Sequence, residues 1–549
     1  MFGNQALLSR LRAEWGTPER RVHKREAIAA ATRSRVANTA NASRLDDRTC
    51  SDLNLDDVFD AIDRTGSTLG QQALYHRLRT TPAGDHMPAF EALVNRMASD
   101  AGTRERAQVA IARLQDAHGY DIWWLGRPDA VETRAWYAVF PLLTMATVAL
   151  LTLSVWWHAL VPLLIIVLAL DLGLRLLAGD QMNAMGKALR QVGPIVATGE
   201  DLAFLQGEDT AAITGALLSD VPRLRRLKTV ARWLSADPLM ASTWDGVAWV
   251  AGSVAGAVFD YVNMVLLLDA NGVYFGTSDL RAHSGSLLRV AAAIGDVDAA
   301  ISVASWRTER DDWTRPRFGP PGSAAMLSGV RHPLLEEPVP NTINLSPGRG
   351  VLVTGSNMSG KSTFIRSIGV NVVLAQTINT CMAGSYEAPL FRVRSCIGRE
   401  DDLLSGKSYY IVEVEAMLAL VRASTSTHPH LFLCDELFRG TNAVERIGAA
   451  EAVLMELLTN ASGAKPHVVL AATHDGELVD LLRDTYDSYH FTDQLGTTGL
   501  IFDYRLQAGP ATTRNAIALL RQHGAPERLV TRALARAADL DQQRAIAPR

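Results

Sequence analysis

The sequence predicts a doubly wound α/β domain in its C-terminal half, joined to an all-α region that a pair of membrane-spanning helices interrupts. Three observations predict this. Apolar, β-branched runs at 351–354, 430–436 and 468–474 read as buried parallel strands, and each ends at a turn rich in functional groups. Residues 135–177 are almost free of charge. Elsewhere apolar residues recur at helical spacing.

Residues 1–45 form a basic arm with helical tendency. Residues 1–44 hold nine Lys or Arg against three Glu, which suits either a solvated arm or contact with nucleic acid or anionic lipid. Residues 46–134 open a helical core, with Val58, Ile62, Leu69, Ala73, Leu74 and Leu78 at roughly helical spacing. A hairpin at 135–180 follows.

No charged residue occurs from Ala135 to Trp157 or from Ala159 to Leu170. The first of these stretches meets the roughly 20 residues a bilayer core requires, and the second nears that length by running past Asp171 to Leu174. Trp136, Tyr137, Trp156 and Trp157 mark the two interfaces. Arg127 and Arg134 precede the hairpin, and Arg175, Lys187 and Arg190 follow it, with no Lys or Arg in the turn at His158. That asymmetry predicts two passes through the cytoplasmic membrane, with both termini on the cytoplasmic side. A buried helical hairpin is the competing reading, and Asp171 favours it slightly.

Residues 181–318 continue the helical pattern, clearest at 227–234 and 286–306, and TRPRFGPPG at 314–322 reads as a linker. The α/β domain spans 319–505. Residues 506–549 are helical, with a break at Gly524 and Pro526.

Bulk properties narrow the class. With 48% hydrophobic and 20% charged residues, the 549-residue chain builds several cores. Four scattered cysteines offer no metal-ligand spacing, which argues for a reducing compartment and against a disulfide scaffold. No signal-peptide pattern opens the chain.

The strongest motif is VLVTGSNMSGKST at 351–363. Gly355 to Ser362 fits G-x-x-x-x-G-K-[ST], after a strand and at the start of a helix. Backbone N–H groups of the loop would cradle phosphates, so Gly355, Ser356, Asn357, Met358, Ser359, Gly360 and Thr363 join Lys361 and Ser362 as the expected nucleotide-binding set, with the helix opening at Phe364. Lys361 would reach the β and γ oxygens, and Ser362 would bind Mg²⁺. The strand HLFLCDE places Asp435 for the Mg²⁺ shell and Glu436 to orient or deprotonate an attacking water. VVLAATH delivers His474 to the same sheet edge, where it would sense the γ-phosphate. The expected ligands are therefore ATP and Mg²⁺, and the expected chemistry is hydrolysis.

GSNMSGKST, DELFRGTN (435–442) and ATHDGEL (472–478) resemble the MutS ATPases, relatives of the ABC ATPases. RHP (331–333), IGREDDLLSGKSYYIVEVE (397–415), the C-terminal stretch 504–533 and LDDVFDAIDRTGSTLGQQALYHRLRTTP (55–82) are similar to further parts of that family. The resemblance implies a homodimer with two composite sites and action on DNA. It places Ser408 where a serine reaches the partner's nucleotide, although a simple helix cap also fits that residue. It sets Asn442 in a segment crossing the dimer interface, and Gln376 at a family glutamine. The residues before the helical core contain no Phe-x-Glu reader, so direct mismatch reading is not implied, and no nuclease pattern follows the ATPase. Two other classes are a nucleotide-driven scaffold or signalling switch without DNA, and an ABC-type transport component, for which two helices supply no pathway.

Overall fold

The computed structural model describes the whole chain except residues 1, 18–22, 37–42, 82–84, 115–121, 124–134, 235–261, 263–264, 357–358, 398–408, 496–499, 512–515 and 547–549. The chain divides into two compact units. One comprises Met1–Ala42, Ile62–Arg77 and Ala83–Glu309, and the other Ser43–Ala61, Leu78–Pro82 and Arg310–Arg549.

The first unit is helical, and its axis is the 41-residue helix Leu268–Thr308. Leu280, Leu287, Ile294 and Ile301 recur every seven residues, and Val290, Val297 and Ala304 fill the intervening positions; all are buried. That stripe packs on the helices Thr68–Arg77, His86–Ser99, Val161–Leu202 and Val221–Leu234. Buried charges of the unit form ion pairs: Arg77 with Asp296 at 3.0 Å, and Arg307 with both oxygens of Glu91 at 2.9 and 2.8 Å. Such pairing offsets the desolvation that each charge suffers on burial. The apolar residues expected to mark one helical pattern between Val58 and Leu78 occupy two helices, Leu55–Ile62 and Thr68–Arg77. Between them the chain turns, with Gly66 N and Ser67 Oγ donating to Asp298 at 2.9 and 2.6 Å.

Two apolar helices, Val139–Ser154 and Val161–Leu202, follow one another across a short turn and pack together. Their outward residues are bare: Leu142, Met145, Ile165 and Ile166 are each at least 60% exposed, and Trp156 at the turn is 82% exposed. Polar contacts lie on the inner side, where Thr147 Oγ donates to Asp171 at 3.1 Å and Asn271 Nδ2 donates to Thr144 Oγ at 2.6 Å. The expectation of two spanning helices is corrected in its detail. Among the described residues only Trp136–Ser154 is a helix long and apolar enough to cross a membrane, at 19 residues and mean hydropathy 1.8. The apolar part of the second, His158–Asp171, is shorter. That helix also does not stop near residue 180 but runs on unbroken to Leu202. The Leu, Ala, Met, Gln, Lys and Arg of 174–192 are strong helix formers, so loss of apolarity does not end the helix.

The second unit contains strands numbered here in chain order: β1 (Ser43–Arg44), β2 (Thr80–Thr81), β3 (Arg317–Phe318), β4 (Ala325–Val330), β5 (Asn341–Leu345), β6 (Gly350–Thr354), β7 (Ser385–Ala388), β8 (Arg392–Cys396), β9 (His430–Asp435), β10 (Val468–Ala472), β11 (Tyr486–Leu495) and β12 (Leu500–Ala508). The main sheet runs β12-β11-β6-β10-β9-β8. Every pair from β11 to β8 is parallel, and β12 closes the edge antiparallel to β11. All of β6 and β10 and most of β9 are buried because helices cover both faces. On one face, Phe432, Cys434, Val469 and Ala471 meet Met417, Leu420, Leu454 and Leu457 of the helices Tyr409–Ser424 and Ala443–Leu457. On the other lies the helix Lys361–Ile378, which packs on β9 and β10. A smaller sheet, β3-β7-β4-β5, stands beside it.

Residues 46–61, read from sequence as the start of the helical core, belong to this unit together with 43–45, read as the end of the basic arm. Asp52 accepts from Ser395 Oγ at 2.7 Å and from Ile397 N at 2.9 Å, so the helix Asp47–Asp52 seals the β8 edge. Past β12, helices Ala516–Gln522 and Glu527–Ile546 are separated at Gly524, which has a φ of +80°, and Pro526.

Two buried histidines give this unit a pH dependence. Burial, helped by Arg366, pushes His332 down to about 4, and burial likewise pushes His430 down to about 4. Both are neutral in the fold at pH 7, whereas the unfolded chain takes up their protons below about 6.5. Their stabilisation is therefore complete above about pH 6.5 and is lost as pH falls toward 4. The urea midpoint of this unit should drop by a few kcal/mol equivalents of stability between pH 7.5 and 4.5, and the double variant His332→Gln/His430→Gln should flatten that slope. An unchanged slope in the variant would assign the pH dependence elsewhere.

Candidate functional site

At the carboxyl end of β6 the chain turns through Gly355, whose φ is +145°. A Cβ there would lie 2.9 Å from Ser359 Oγ and 3.0 Å from Phe491 O, so only glycine fits the bend. Gly360, with a φ of +104°, starts the helix Lys361–Ile378. A helix N-terminus, with its unpaired N–H groups and its dipole, favours an anion. The Ser356 and Ser359 hydroxyls are buried and have no hydrogen-bond partner among the described residues. Lys361, 4% exposed, donates to Gly355 O at 2.9 Å and Ser356 O at 2.8 Å. A buried ammonium turned onto its own loop's carbonyls is poised for a stronger acceptor.

Ser362 Oγ donates to Asp435 Oδ2, and the buried Oδ1 of Asp435 has no partner. A hydroxyl beside a half-satisfied carboxylate is an oxygen donor set that suits Mg²⁺, a hard cation that takes one or two protein oxygens and keeps the rest for phosphate and water. Asp435 ends β9, which is separated from β6 by β10. The strand that ends in Asp435 and the strand that leads into the Gly355 turn thus flank the strand that ends near His474.

Glu436 follows in a left-handed conformation, φ +52°, and Phe438 repeats it at +58°. Non-glycine residues in this region cost of order 1–3 kcal/mol each. Here the cost is offset by Glu436 N donating to Ala472 O at 2.9 Å and by Phe438 N donating to Glu413 Oε1 at 2.6 Å, with Leu437 and Phe438 buried. The result aims the Glu436 carboxylate at the cavity, where it meets Arg439 and His474. His474 Nδ1 lies 3.0 Å from Gly355 O and 3.5 Å from Lys361 Nζ. Burial and then the Lys361 charge lower its pKa, so the ring is neutral at pH 7. Asp475 pairs with Arg446 through two bonds of 2.9 and 2.7 Å and ties the β10 turn to the helix that Asn442 caps.

These groups open onto a cavity of about 760 Å³. Its lining carries Lys361, Ser362, Asp435, Glu436 and Arg439, with Glu336, Glu337 and Arg366, and an apolar wall of Val330, Leu335, Val339, Phe491 and Tyr504. Charged groups together with apolar and aromatic ones match a molecule that has both phosphates and a flat ring.

The structure brings Gly355, Ser356, Ser359, Gly360, Lys361, Ser362, Asp435, Glu436 and His474 together. Thr363 lines the same cavity. Asn357, Met358 and Ser408 lie outside the described residues. Gln376 faces away from the cavity chemistry: its amide exchanges bonds of 2.6 and 3.0 Å with the Phe391 backbone. Sequence reasoning gave no role to Arg439, although DELFRGTN contains it, and none to the apolar wall, whose residues come from four separated segments.

Fold and site together define a phosphate-loop nucleotide-binding domain in which the acidic strand is one strand removed from the phosphate loop. Residues 351–541 match MutS domain V, so this chain carries a domain of the MutS family. It is 37% identical over 253 residues to a DNA mismatch repair protein MutS 2 from Halobacterium salinarum, covering 44% of this chain and 28% of that protein. It is 32% identical over 259 residues to the DNA mismatch repair protein MutS of Thermus thermophilus, covering 46% and 30%. Against the MutS of Streptococcus equi it is 34% identical over 268 residues, covering 47% and 30%. The chain therefore matches less than a third of the length of these relatives.

Proposed function

We propose that this protein is a Mg²⁺-dependent ATPase of the MutS type, a homodimeric switch that acts on DNA while tethered to the cytoplasmic membrane. The observation that carries the ATPase reading is the convergence, in one cavity, of a buried lysine on a glycine-hinged loop, the Ser362–Asp435 pair and Glu436.

In this reading the triphosphate lies along the N-terminus of the helix Lys361–Ile378, and Lys361 exchanges the Gly355 and Ser356 carbonyls for β and γ oxygens. Ser362 and Asp435 hold Mg²⁺, which neutralises phosphate charge. Glu436 accepts a proton or hydrogen bond from the attacking water, and His474 donates to the γ-phosphate. The apolar wall at Val339, Phe491 and Tyr504 takes the base. Ser408 of the second copy completes each site, so ATP closes the dimer and hydrolysis releases it.

DNA is the proposed partner because the matched relatives are DNA mismatch repair proteins by name and because residues 1–44 are basic. The membrane tether rests on the exposed apolar faces of 139–170 and on the basic residues flanking the hairpin.

The test uses the full chain in nanodiscs, with duplex, mismatched and branched DNA, with and without ATP, across a salt series. Nucleotide-dependent, salt-sensitive preference for one DNA structure is the expected result. Binding to none of them at moderate salt would leave an ATP-driven protein switch at the membrane. A chain that stays monodisperse in buffer without detergent or lipid would remove the tether.

A further inference from the structure

Glu436 stands between a guanidinium and an imidazole. Its Oε2 faces Arg439 Nη2 and its Oε1 faces His474 Nε2, so both oxygens are engaged. The Glu436 side chain is 10% exposed and that of Arg439 31% exposed, and both line the nucleotide cavity. His474 in turn reaches the phosphate loop, 3.0 Å from Gly355 O and 3.5 Å from Lys361 Nζ. A neutral imidazole has one N–H to give. The carboxylate is the stronger acceptor, so Nε2–H serves Glu436, while Nδ1 lies beside Gly355 O and Lys361 Nζ. The four side chains form one chain of contacts, Lys361 to His474 to Glu436 to Arg439.

A carboxylate paired with a guanidinium through one oxygen and an imidazole through the other keeps lone pairs for water but is a weaker acceptor and a weaker base. Resting on the ATPase reading above, we infer that Arg439 is a positioning residue that holds Glu436 in this paired, weakly basic state until a γ-phosphate arrives. A diphosphate ends at the β position, within reach of Lys361 but short of the group that draws His474 and Arg439 off the carboxylate. A triphosphate supplies that extra anion and frees Glu436. Breaking the Arg439–Glu436 contact is then a cost charged to ATP and not to ADP, and it lowers the preference of the resting site for ATP.

The test measures affinities of the full chain for a non-hydrolysable ATP analogue and for ADP by calorimetry. Arg439→Gln should shift the analogue-to-ADP affinity ratio toward the analogue by at least about fivefold, and Arg439→Lys, which keeps a cation in place, should restore the wild-type ratio. The Arg439→Gln shift should vanish in a Glu436→Gln background, because no carboxylate remains to be held. A shift that persists in that background, or one toward ADP, would show that Arg439 acts on the phosphate directly and would overturn the positioning role. An unchanged ratio would overturn it as well. If the wild-type chain binds neither nucleotide, the ATPase reading itself fails, before Arg439 is compared.

Discussion

Replacing Glu436 by Gln should leave ATP bound and slow its turnover by about 10²–10⁴-fold, the usual contribution of a positioned general base. The substitution keeps size and backbone, and the Glu436 N bond to Ala472 O at 2.9 Å is untouched. What disappears is the acceptor charge that orients and deprotonates water. Lys361, Ser362 and Asp435 are unaltered, so ATP accumulates uncleaved. In a composite site that variant should also hold the dimer closed. Rapid-quench kinetics and light scattering at saturating ATP check both parts. Wild-type turnover would remove Glu436 as the base, and a monomer at saturating ATP would remove the composite site.

Lys361→Ala should act one step earlier, at binding. Lys361 is the buried cation at the loop's centre, 2.8 and 2.9 Å from two loop carbonyls, and it has no role in the hydrophobic core. Removing one partner of a desolvated charged contact costs about 2–5 kcal/mol, so ATP affinity should fall by more than about thirtyfold and hydrolysis should vanish at ordinary ATP concentrations. Thermal stability without nucleotide should change little, because the helix Lys361–Ile378 is held by Ile365, Ile368 and Val372. Undiminished ATP binding in a folded Lys361→Ala protein would displace the phosphate site from this loop.

The two variants separate the steps that the geometry combines. Glu436→Gln binds without cleaving, whereas Lys361→Ala does not bind. The Arg439 variants address a third property, the preference between ATP and ADP.

Part of this protein is local in its causes, and that part is determined by the sequence alone. The strands β6, β9 and β10 are buried on both faces, so each is a short, unbroken apolar run, visible without a partner strand. The phosphate loop needs glycine where φ is positive, a lysine next and a hydroxyl after it, all within eight residues. The long helix Leu268–Thr308 shows in its seven-residue spacing. Strands β8 and β12 at the edges, and β11 beside β12, were not legible in the same way: they alternate or carry polar residues, and their identity comes from the neighbour that pairs with them.

Only the tertiary structure decided where separated segments meet. Asp52 looks like an acid in a helical run, yet it seals the β8 edge through Ser395 and Ile397, more than 340 residues away. The second apolar helix looked like half of a hairpin, but its length is set by helix-forming residues beyond the apolar stretch. Arg439 was a letter in a motif until the left-handed turn at Glu436 and Phe438 folded it back onto the carboxylate. Spacing along the chain encodes a loop or a stripe, because those contacts are a few residues apart. It does not encode which charge faces which across a cavity, because that depends on strand order, and strand order is fixed by the packing of the whole sheet.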